Sequence, residues 1–309
     1  MAELTSAWAD LLNSNIRKIY GDELKQVPTQ YQNIFSVEGS GKDQEIESSA
    51  SGLSQFVLTG ENQPVTYEDR NQGYDATYKH KKWTKAISIS KEMWDDDRFG
   101  VMRRGTQDLA RSKMRTKDQI GADIFNFSFT TGGGGKALFT AGDALPLFSA
   151  SHTRTDGGAV QSNTTTADLN ESSLETALVT MRATLDDKGQ LQGITPTTLL
   201  IPPALEKEAS ILLESSGRVG TANNDVNPYK GRLNIVVWDR IGSAAGGSDT
   251  AWFILGTEKK LIYFNRLDTG LQGPDYDFDN DVAKWKDQFR CLPGWSDWRA
   301  TYGSKGDNS

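Results

Sequence analysis

Residues Gly100–Phe127 read GVMRRGTQDLARSKMRTKDQIGADIFNF and place apolar side chains at Met102, Leu109, Met114, Ile120, Ile124 and Phe127. These spacings follow the three-to-four-residue period of a helix with one buried stripe. At 1.5 Å per residue the helix runs about 40 Å, as long as a small domain is wide. Asp95, Asp96 and Asp97 precede it, where carboxylates suit the positive end of the dipole and cap free N–H groups. Thr131 and the run Gly132–Gly135 end it. Upstream, residues 53–89 alternate like strands but hold little apolar content. A monomer gains nothing by holding out such an arm; a subunit that must clasp its neighbours does.

Working outward, the chain has 309 residues, enough for one large domain or two modest ones. A net charge of −7 disfavours a nucleic-acid binder that works by neutralising phosphates. The single cysteine, Cys291, excludes an internal disulfide and fits a reducing compartment. No run of apolar residues is long enough to span a membrane. Asp10 and Arg17 interrupt what would be the apolar stretch of a signal peptide, so none is expected.

Toward the N-terminus, Leu4, Trp8, Leu11, Leu12, Ile16 and Ile19 line one face of a helix over 3–20, with Gly21 as its stop. Residues 21–52 are polar and read as extended linker. Gln55–Thr59 reads as a short strand, Gly60–Asp75 as a charged tip holding Glu61, Glu68, Asp69 and Arg70, and Thr77–Ser90 as a returning strand. A two-stranded ribbon this polar is marginal alone and needs a partner surface.

Toward the C-terminus, residues 136–166 look loop-rich, and from Asp168 helices and strands alternate. Helices are expected over Asp168–Leu185 and Ala204–Glu214. Strands are expected over Thr197–Ile201, Asn234–Trp238, Trp252–Leu255 and Leu261–Phe264. The loops Ser215–Gly231 and Gly242–Ser248 are rich in Gly, Asn and Ser. A last alternating stretch sets Tyr276 and Phe278 against Asp275, Asp277 and Asp279, followed by Trp285, Phe289, Trp295, Trp298 and Tyr302. The four aromatics from Trp285 to Trp298 are expected to pack under the long helix and cover its apolar stripe.

Enzyme signatures fail one by one. Gly132–Lys136 suggests a phosphate loop, but that motif needs Gly where Thr130 stands and Ser or Thr where Ala137 stands. Asp275-Tyr-Asp277-Phe-Asp279 opens like a calcium-binding hand but continues with Asn280 and Lys286 in place of Gly and Glu. A strand with one acidic face is the simpler reading, and a looser cation site between subunits stays open. The two histidines, His80 and His152, lie in different segments without the companions of a zinc site or a nucleophilic triad. No catalytic, cofactor-binding or metal residue is assigned. The basic run Lys79, His80, Lys81, Lys82, Lys85 is either a solvated strand face or a contact for an acidic surface of a neighbouring copy, such as Asp95–Asp97 or Asp275–Asp281.

Several stretches, taken in order, carry a family resemblance. They are the strand-to-helix join Lys85–Asp97 with the long helix after it, and Leu147-Phe-Ser-Ala-Ser-His152 leading to Asp156-Gly157-Gly158. Gly193–Pro203, Asn227-Pro-Tyr-Lys-Gly231 and Asn234–Asp239 follow, and Lys286-Asp-Gln-Phe-Arg290 comes last. The chain resembles the major capsid proteins of tailed bacteriophages, of the Hong Kong 97 capsid fold, in particular the Mu-like major head subunits. The resemblance covers most of the chain from about residue 50.

It implies an α+β fold with an N-terminal arm over 1–52, an extended loop over 53–89 lying across an adjacent subunit, and a peripheral domain over 90–167 whose spine helix spans about 97–128. An axial domain over 168–268 and a return to the peripheral domain over 269–309 complete it. The implied function is self-assembly, through pentamers and hexamers, into an icosahedral head. That head encloses double-stranded DNA without specific binding, and mild acidity suits a wall that must not grip what later leaves. The implied partners are further copies, a separate scaffolding protein, a portal and decoration proteins, with no membrane and no cofactor. The implied location is the virion, after assembly in the host bacterial cytoplasm. Inter-subunit contact is expected at Lys79, Lys81, Lys82 and Lys85, at Glu68, Asp69 and Arg70, and at Ser243, Gly246 and Gly247, the last three on a loop at the capsomer axis. Two alternatives stay open: an encapsulin-like nanocompartment shell of the same fold, and a hydrolase or ligand-binding module built on the axial region, against which the lack of a nucleophile–base set argues.

Overall fold

The computed structural model describes residues 6–70, 72–90, 100–131, 139, 141–217, 225–277, 279 and 282–307, with the backbone alone for 6–15, 101, 102 and 276. The expectations placed on Leu4, Asp95–Asp97, Gly132–Lys136, Phe278, Asn280 and Asp281 lie outside the described residues, as do those on the side chains of Trp8, Leu11, Leu12, Met102 and Tyr276. In chain order the elements are α1 (Ser6–Gln26), α2 (Tyr31–Ile34), β1 (Ser36–Gly39), β2 (Gln44–Ala50), β3 (Gln72–Lys79), β4 (Lys81–Ser90) and α3 (Val101–Asn126). Then follow β5 (Thr164–Thr165), α4 (Glu171–Arg182), β6 (Pro196–Ile201), α5 (Glu206–Glu214), β7 (Asn234–Val237), β8 (Trp252–Gly256), β9 (Lys260–Asp268), β10 (Gln272–Asp277), β11 (Val282–Asp297) and β12 (Thr301–Ser304). The chain forms two compact units interleaved along the sequence: Met1–Asp43, Lys79–Gly121 and Tyr263–Leu292 make one, and Gln44–Tyr78, Ala122–Ile262 and Pro293–Ser309 the other.

In the first unit a five-stranded sheet runs β1-β9-β11-β10, with β4 also paired to β11. The β4–β11 ladder is antiparallel from Val282↔Ser90 to Cys291↔Lys81. One core joins Ile16 and Tyr20 of α1, Leu109 and Ala110 of α3, Ile89 of β4, and Ala283 and Trp285 of β11. The long helix is therefore where its periodicity places it, and Trp285 covers it as expected. Met114 is only half-buried, whereas Lys113 and Lys117 are buried in its place. Lys113 Nζ lies 2.9 Å from Asp287 and also meets Asp268, and Lys117 Nζ lies 2.7 Å from Asp268. Two ammoniums against two carboxylates leave the pocket neutral, and this pairing is what makes burying lysine tolerable.

The N-terminal region departs from the linker reading. Gly21 does not stop α1, which continues to Gln26. The extra turn is held by tertiary contacts: Glu23 accepts from Arg111 at 2.6 Å and from Gln107 at 3.1 Å, and Leu24 packs on the core. Asp118 of α3 then accepts from the backbone N–H groups of Gln30 (2.9 Å) and Tyr31 (3.0 Å). It thereby caps α2, whose own cap residue Gln30 offers no side-chain bond.

In the second unit a five-stranded sheet has the order β5-β12-β8-β6-β7, and β2 pairs β3 separately. Leu174, Ala177, Leu178 and Met181 of α4 and Ala209 and Leu213 of α5 bury their stripes against Leu199, Ile201, Trp252 and Ile254 of the sheet. A capping box between Asn170 and Ser173 starts α4. The helix and strands expected from Asp168 onward are present, with ends shifted by a few residues. Trp295 and Trp298, expected under the long helix, do other work: Trp295 meets the Phe139 ring edge-on, and Trp298 stacks on His152 with centroids 4.1 Å apart.

Candidate subunit-contact surfaces

The charged tip sits on a segment with no regular structure of its own. Residues 51–70 contain only a turn at 61–62, closed by Gln63 N–H on Gly60 carbonyl at 3.3 Å, with Asn62 at φ 65°. Asparagine tolerates that left-handed geometry. The strand expected at Gln55–Thr59 is absent; β3 pairs instead with β2, which the linker reading had left without structure. A strand needs a ladder partner, and β2 supplies one for 72–79 while nothing among the described residues supplies one for 55–59. The apolar side chains are left outside: Phe56 and Leu58 are essentially fully exposed, Tyr67 is 92% exposed and Val65 71%. Exposed apolar groups in this number mark a surface meant to be covered.

The segment is nevertheless pinned at its neck. Glu68 accepts from the N–H and hydroxyl of Ser54 at 2.8 and 2.6 Å. Lys188 lies 3.0 Å from Glu68 and donates to the Asp69 carbonyl at 3.2 Å. The bonds from the Ser54 hydroxyl and N–H, and then from Lys188, hold the Glu68 carboxyl well down, at about 2. Lys188 is presented by a tight turn in which Asp186 Oδ1 accepts from the N–H groups of Lys188 and Gln190, both at 2.8 Å. Arg70 is exposed.

The basic run does not form one patch. Lys79 ends β3 and Lys81 begins β4, and both are exposed. Lys85 donates to Ser112 of α3 at 2.9 Å, so its ammonium is engaged by its own unit. Lys82 stands opposite Arg290 on the sheet face away from α3. His80 between them is buried, with Nε2 2.9 Å from the Ser40 hydroxyl.

The loop from Gly242 to Ser248 is a short 3-10 turn over Ser243–Ala245 that ends in Gly246 at φ 93°. Ser243 N–H donates to Asp249 at 2.9 Å and its hydroxyl donates to the same carboxylate. Those two bonds, hydroxyl first, hold the Asp249 carboxyl below its ordinary value. A Cβ on Gly247 would lie 2.0 Å from the Ile241 carbonyl oxygen, so the chain's own backbone already requires glycine there. Ser243, Ala244 and Gly246 face solvent.

Two buried groupings escaped the sequence reading. Arg299 reaches Asp187 at 2.7 Å with both side chains under a tenth exposed. His152 is fully buried with Nδ1 2.9 Å from Asp143. The signal for the first was Asp187 beside a glycine turn, but its partner lies 112 residues on. A cavity of about 250 Å³ lies between Asn170, Glu171, Glu208, Ile211 and Tyr229. Burial and the charges of Glu175 and Glu171 raise the Tyr229 hydroxyl above 10, so it remains protonated and offers no base. No helix among the described residues is long and apolar enough to cross a membrane.

Comparison with known proteins gives a consistent picture. A family model described as phage capsid protein matches residues 73–304. No curated protein matches the sequence. Among solved structures, the capsid of a native GTA particle aligns with TM-score 0.59 at 9% identity, covering 90% of this chain and 91% of that one. The capsid of the cyanophage P-SCSP1u aligns with TM-score 0.58 at 13% identity, covering 90% and 88%. The capsid of bacteriophage JBD30 decorated with minor capsid protein trimers aligns with TM-score 0.52 at 13% identity, covering 69% and 90%.

Proposed function

The chain belongs to the phage capsid protein family, and from that premise we propose that this major capsid protein builds its phage head on the Hong Kong 97 plan, in the manner of Mu-like head subunits. The work is structural, not enzymatic. Residues 1–52 serve as the N-terminal arm, 53–89 as the extended loop, 90–167 with 269–309 as the peripheral domain around the spine helix, and 168–268 as the axial domain.

The observation that carries this reading is the segment 51–70, pinned at its neck by Glu68 and Ser54 while Phe56, Leu58 and Tyr67 stand in solvent. A subunit in a closed shell has a neighbour to cover such residues; a free monomer does not. On this reading Lys79, Lys81, Asp69 and Arg70 meet neighbouring copies, Glu68 and Lys85 act through Ser54, Lys188 and Ser112 of their own chain, and Ser243, Gly246 and Gly247 gather near the capsomer axis. Copies associate as pentamers and hexamers, a separate scaffolding protein and a portal complete the head, and trimeric decoration of the kind named for JBD30 is a further partner. The finished shell encloses double-stranded DNA without sequence-specific binding, in the virion, after assembly in the host bacterial cytoplasm.

Electron microscopy of the protein, alone and co-expressed with the genes beside it, tests the reading. Closed isometric shells or rings of five and six are expected. A protein that stays monomeric in every combination overturns it.

A further inference from the structure

In the sheet of the first unit, the β4–β11 part of the face away from α3 is open to solvent, and that part is basic. Along β11, Ala283, Trp285, Asp287, Phe289 and Cys291 are buried, while Lys284 and Lys286 are exposed and Arg290 is half-exposed. The β4 register sets Arg290 opposite Lys82, Gln288 opposite Thr84, Lys286 opposite Ala86 and Lys284 opposite Ser88. Alternate residues share a face, so these cations and small polar groups lie together, away from α3. Lys284 is paired with Asp277 at 2.7 Å. Lys82, Lys286 and Arg290 have no ion-pair partner among the described residues.

The chemistry of the face selects its partner. Stable protein contacts draw their energy from buried aromatic and apolar anchors. Between its cations this face offers Thr84, Ala86, Ser88 and Gln288 of β4 and β11, and β10 adds Gln272 opposite Lys286 and Asp275 opposite Lys284, so the cations of Lys82, Lys286 and Arg290 are the ones left over. Ammonium, guanidinium, hydroxyl and amide groups on a flat surface are the groups that hold phosphate oxygens without reading bases. We propose that this face is a sequence-independent contact for the backbone of duplex DNA, carried by Lys82, Lys286 and Arg290. The proposal rests on the reading of the chain as the wall of a DNA-filled head. It also reconciles a local cationic row with a net charge of −7: three phosphate contacts restrain DNA weakly and release it. With three neutralised phosphates the affinity falls roughly 40-fold between about 50 and 200 mM salt.

The test is binding of a short mixed-sequence duplex to the full-length chain across that salt range. The triple variant Lys82→Glu, Lys286→Glu, Arg290→Glu is set against Arg115→Glu, Lys207→Glu, Lys230→Glu, which changes the net charge equally at exposed sites outside this sheet. The first is expected to lose binding at least about tenfold relative to the second, with a flatter salt dependence. The milder Lys286→Gln is expected to lower the salt slope by about one and serves if the triple variant misfolds. Equal loss in both triple variants, or a parent that does not bind duplex at the lower salt, overturns the proposal. Microscopy of the same preparations separates this from the shell reading. Shells that form while DNA binding ignores the face remove the DNA contact alone. Shells lost while DNA binding persists make the face a subunit contact and also overturn the proposal.

Discussion

The carboxylate of Glu68 closes on Ser54 through two hydrogen bonds, 2.8 Å from the backbone N–H and 2.6 Å from the hydroxyl. A strand that sequence places at 55–59 is thereby replaced by a pinned loop. Pinning matters because a loop held at its neck has less freedom to lose when a neighbour covers it.

That closure is pH-dependent in a definite direction. Glu68 titrates at about 2 when folded against an ordinary 4.5. A folded value below the unfolded one means the bond's contribution is complete above about 4.5 and is lost as pH falls toward 2. An NMR titration of the Glu68 carboxyl is expected to show a midpoint far below its ordinary value, with the Ser54 amide shift following it. A midpoint near 4.5 would show that the neck is open in solution.

Trp298 supports the second unit by stacking on His152, and Arg299 lies over its ring, 5.3 Å from the centroid. Trp298→Ala removes a ring that is 7% exposed, and changes of this size cost about 3–5 kcal/mol. Insoluble or unassembled protein is expected. A variant that melts like the parent and assembles normally would show that this ring is not core.

How much of this was legible in sequence depends on whether the partner of each residue is local. The α3 helix carries its own period, and Ile87, Ile89 and Trp285 announce a buried sheet face by alternation alone. The arm reads as linker because its structure is held from far away: Glu23 by Arg111, the start of α2 by Asp118, and β2 by β3. Lys113 and Lys117 sit one helical turn apart on the buried face, but lysine at a core position declares itself only when Asp268 and Asp287 are in place. The basic run is continuous only along the chain, whereas strand geometry sends Lys82 and Lys85 to opposite faces.

Glycine at 247 and the small residues beside it separate two roles. Gly247→Ala forces a methyl against the Ile241 carbonyl and is expected to destabilise the subunit by about 1–3 kcal/mol before any assembly step. Ala244→Trp, on an exposed position of the same turn, is expected to leave the melting temperature unchanged and to impair capsomer closure. Normal shells from Ala244→Trp would remove this loop from the capsomer axis.

Lys79 and Lys81, like Lys82, are exposed members of the basic run with no ion-pair partner among the described residues. Single exposed ion pairs contribute only about 0–1 kcal/mol, but a shell repeats each contact in every subunit. Lys79→Glu with Lys81→Glu is expected to lower assembly yield, most visibly in low salt where screening is weakest, while the circular dichroism of the subunit is unchanged. An unchanged yield at every salt concentration would count against the contact.

The buried charges under α3 make the sharpest stability prediction. Asp287 has one oxygen without a hydrogen-bond partner among the described residues, while the other accepts from Tyr20 and lies 2.9 Å from Lys113. Burial first, and then the Asp287 bond, push the Tyr20 hydroxyl far above its ordinary value, so it remains a donor at any working pH. Lys113→Met leaves that carboxylate buried with no cation beside it, an arrangement that typically costs about 3–5 kcal/mol. Adding Asp287→Leu removes the stranded charge, and replacement of both partners by apolar groups is often close to neutral. The double variant is therefore expected to recover most of the loss seen in Lys113→Met, measured by denaturant unfolding at neutral pH. Burial opposes ionisation of Asp268, yet its bonds to Lys113 and Lys117 hold its carboxyl below the ordinary 3.8. Its share of the stability is thus present above that pH and lost as pH falls below it. If the double variant is no more stable than Lys113→Met, the loss comes from the contact of the ammonium with the Phe289 ring and not from a stranded charge.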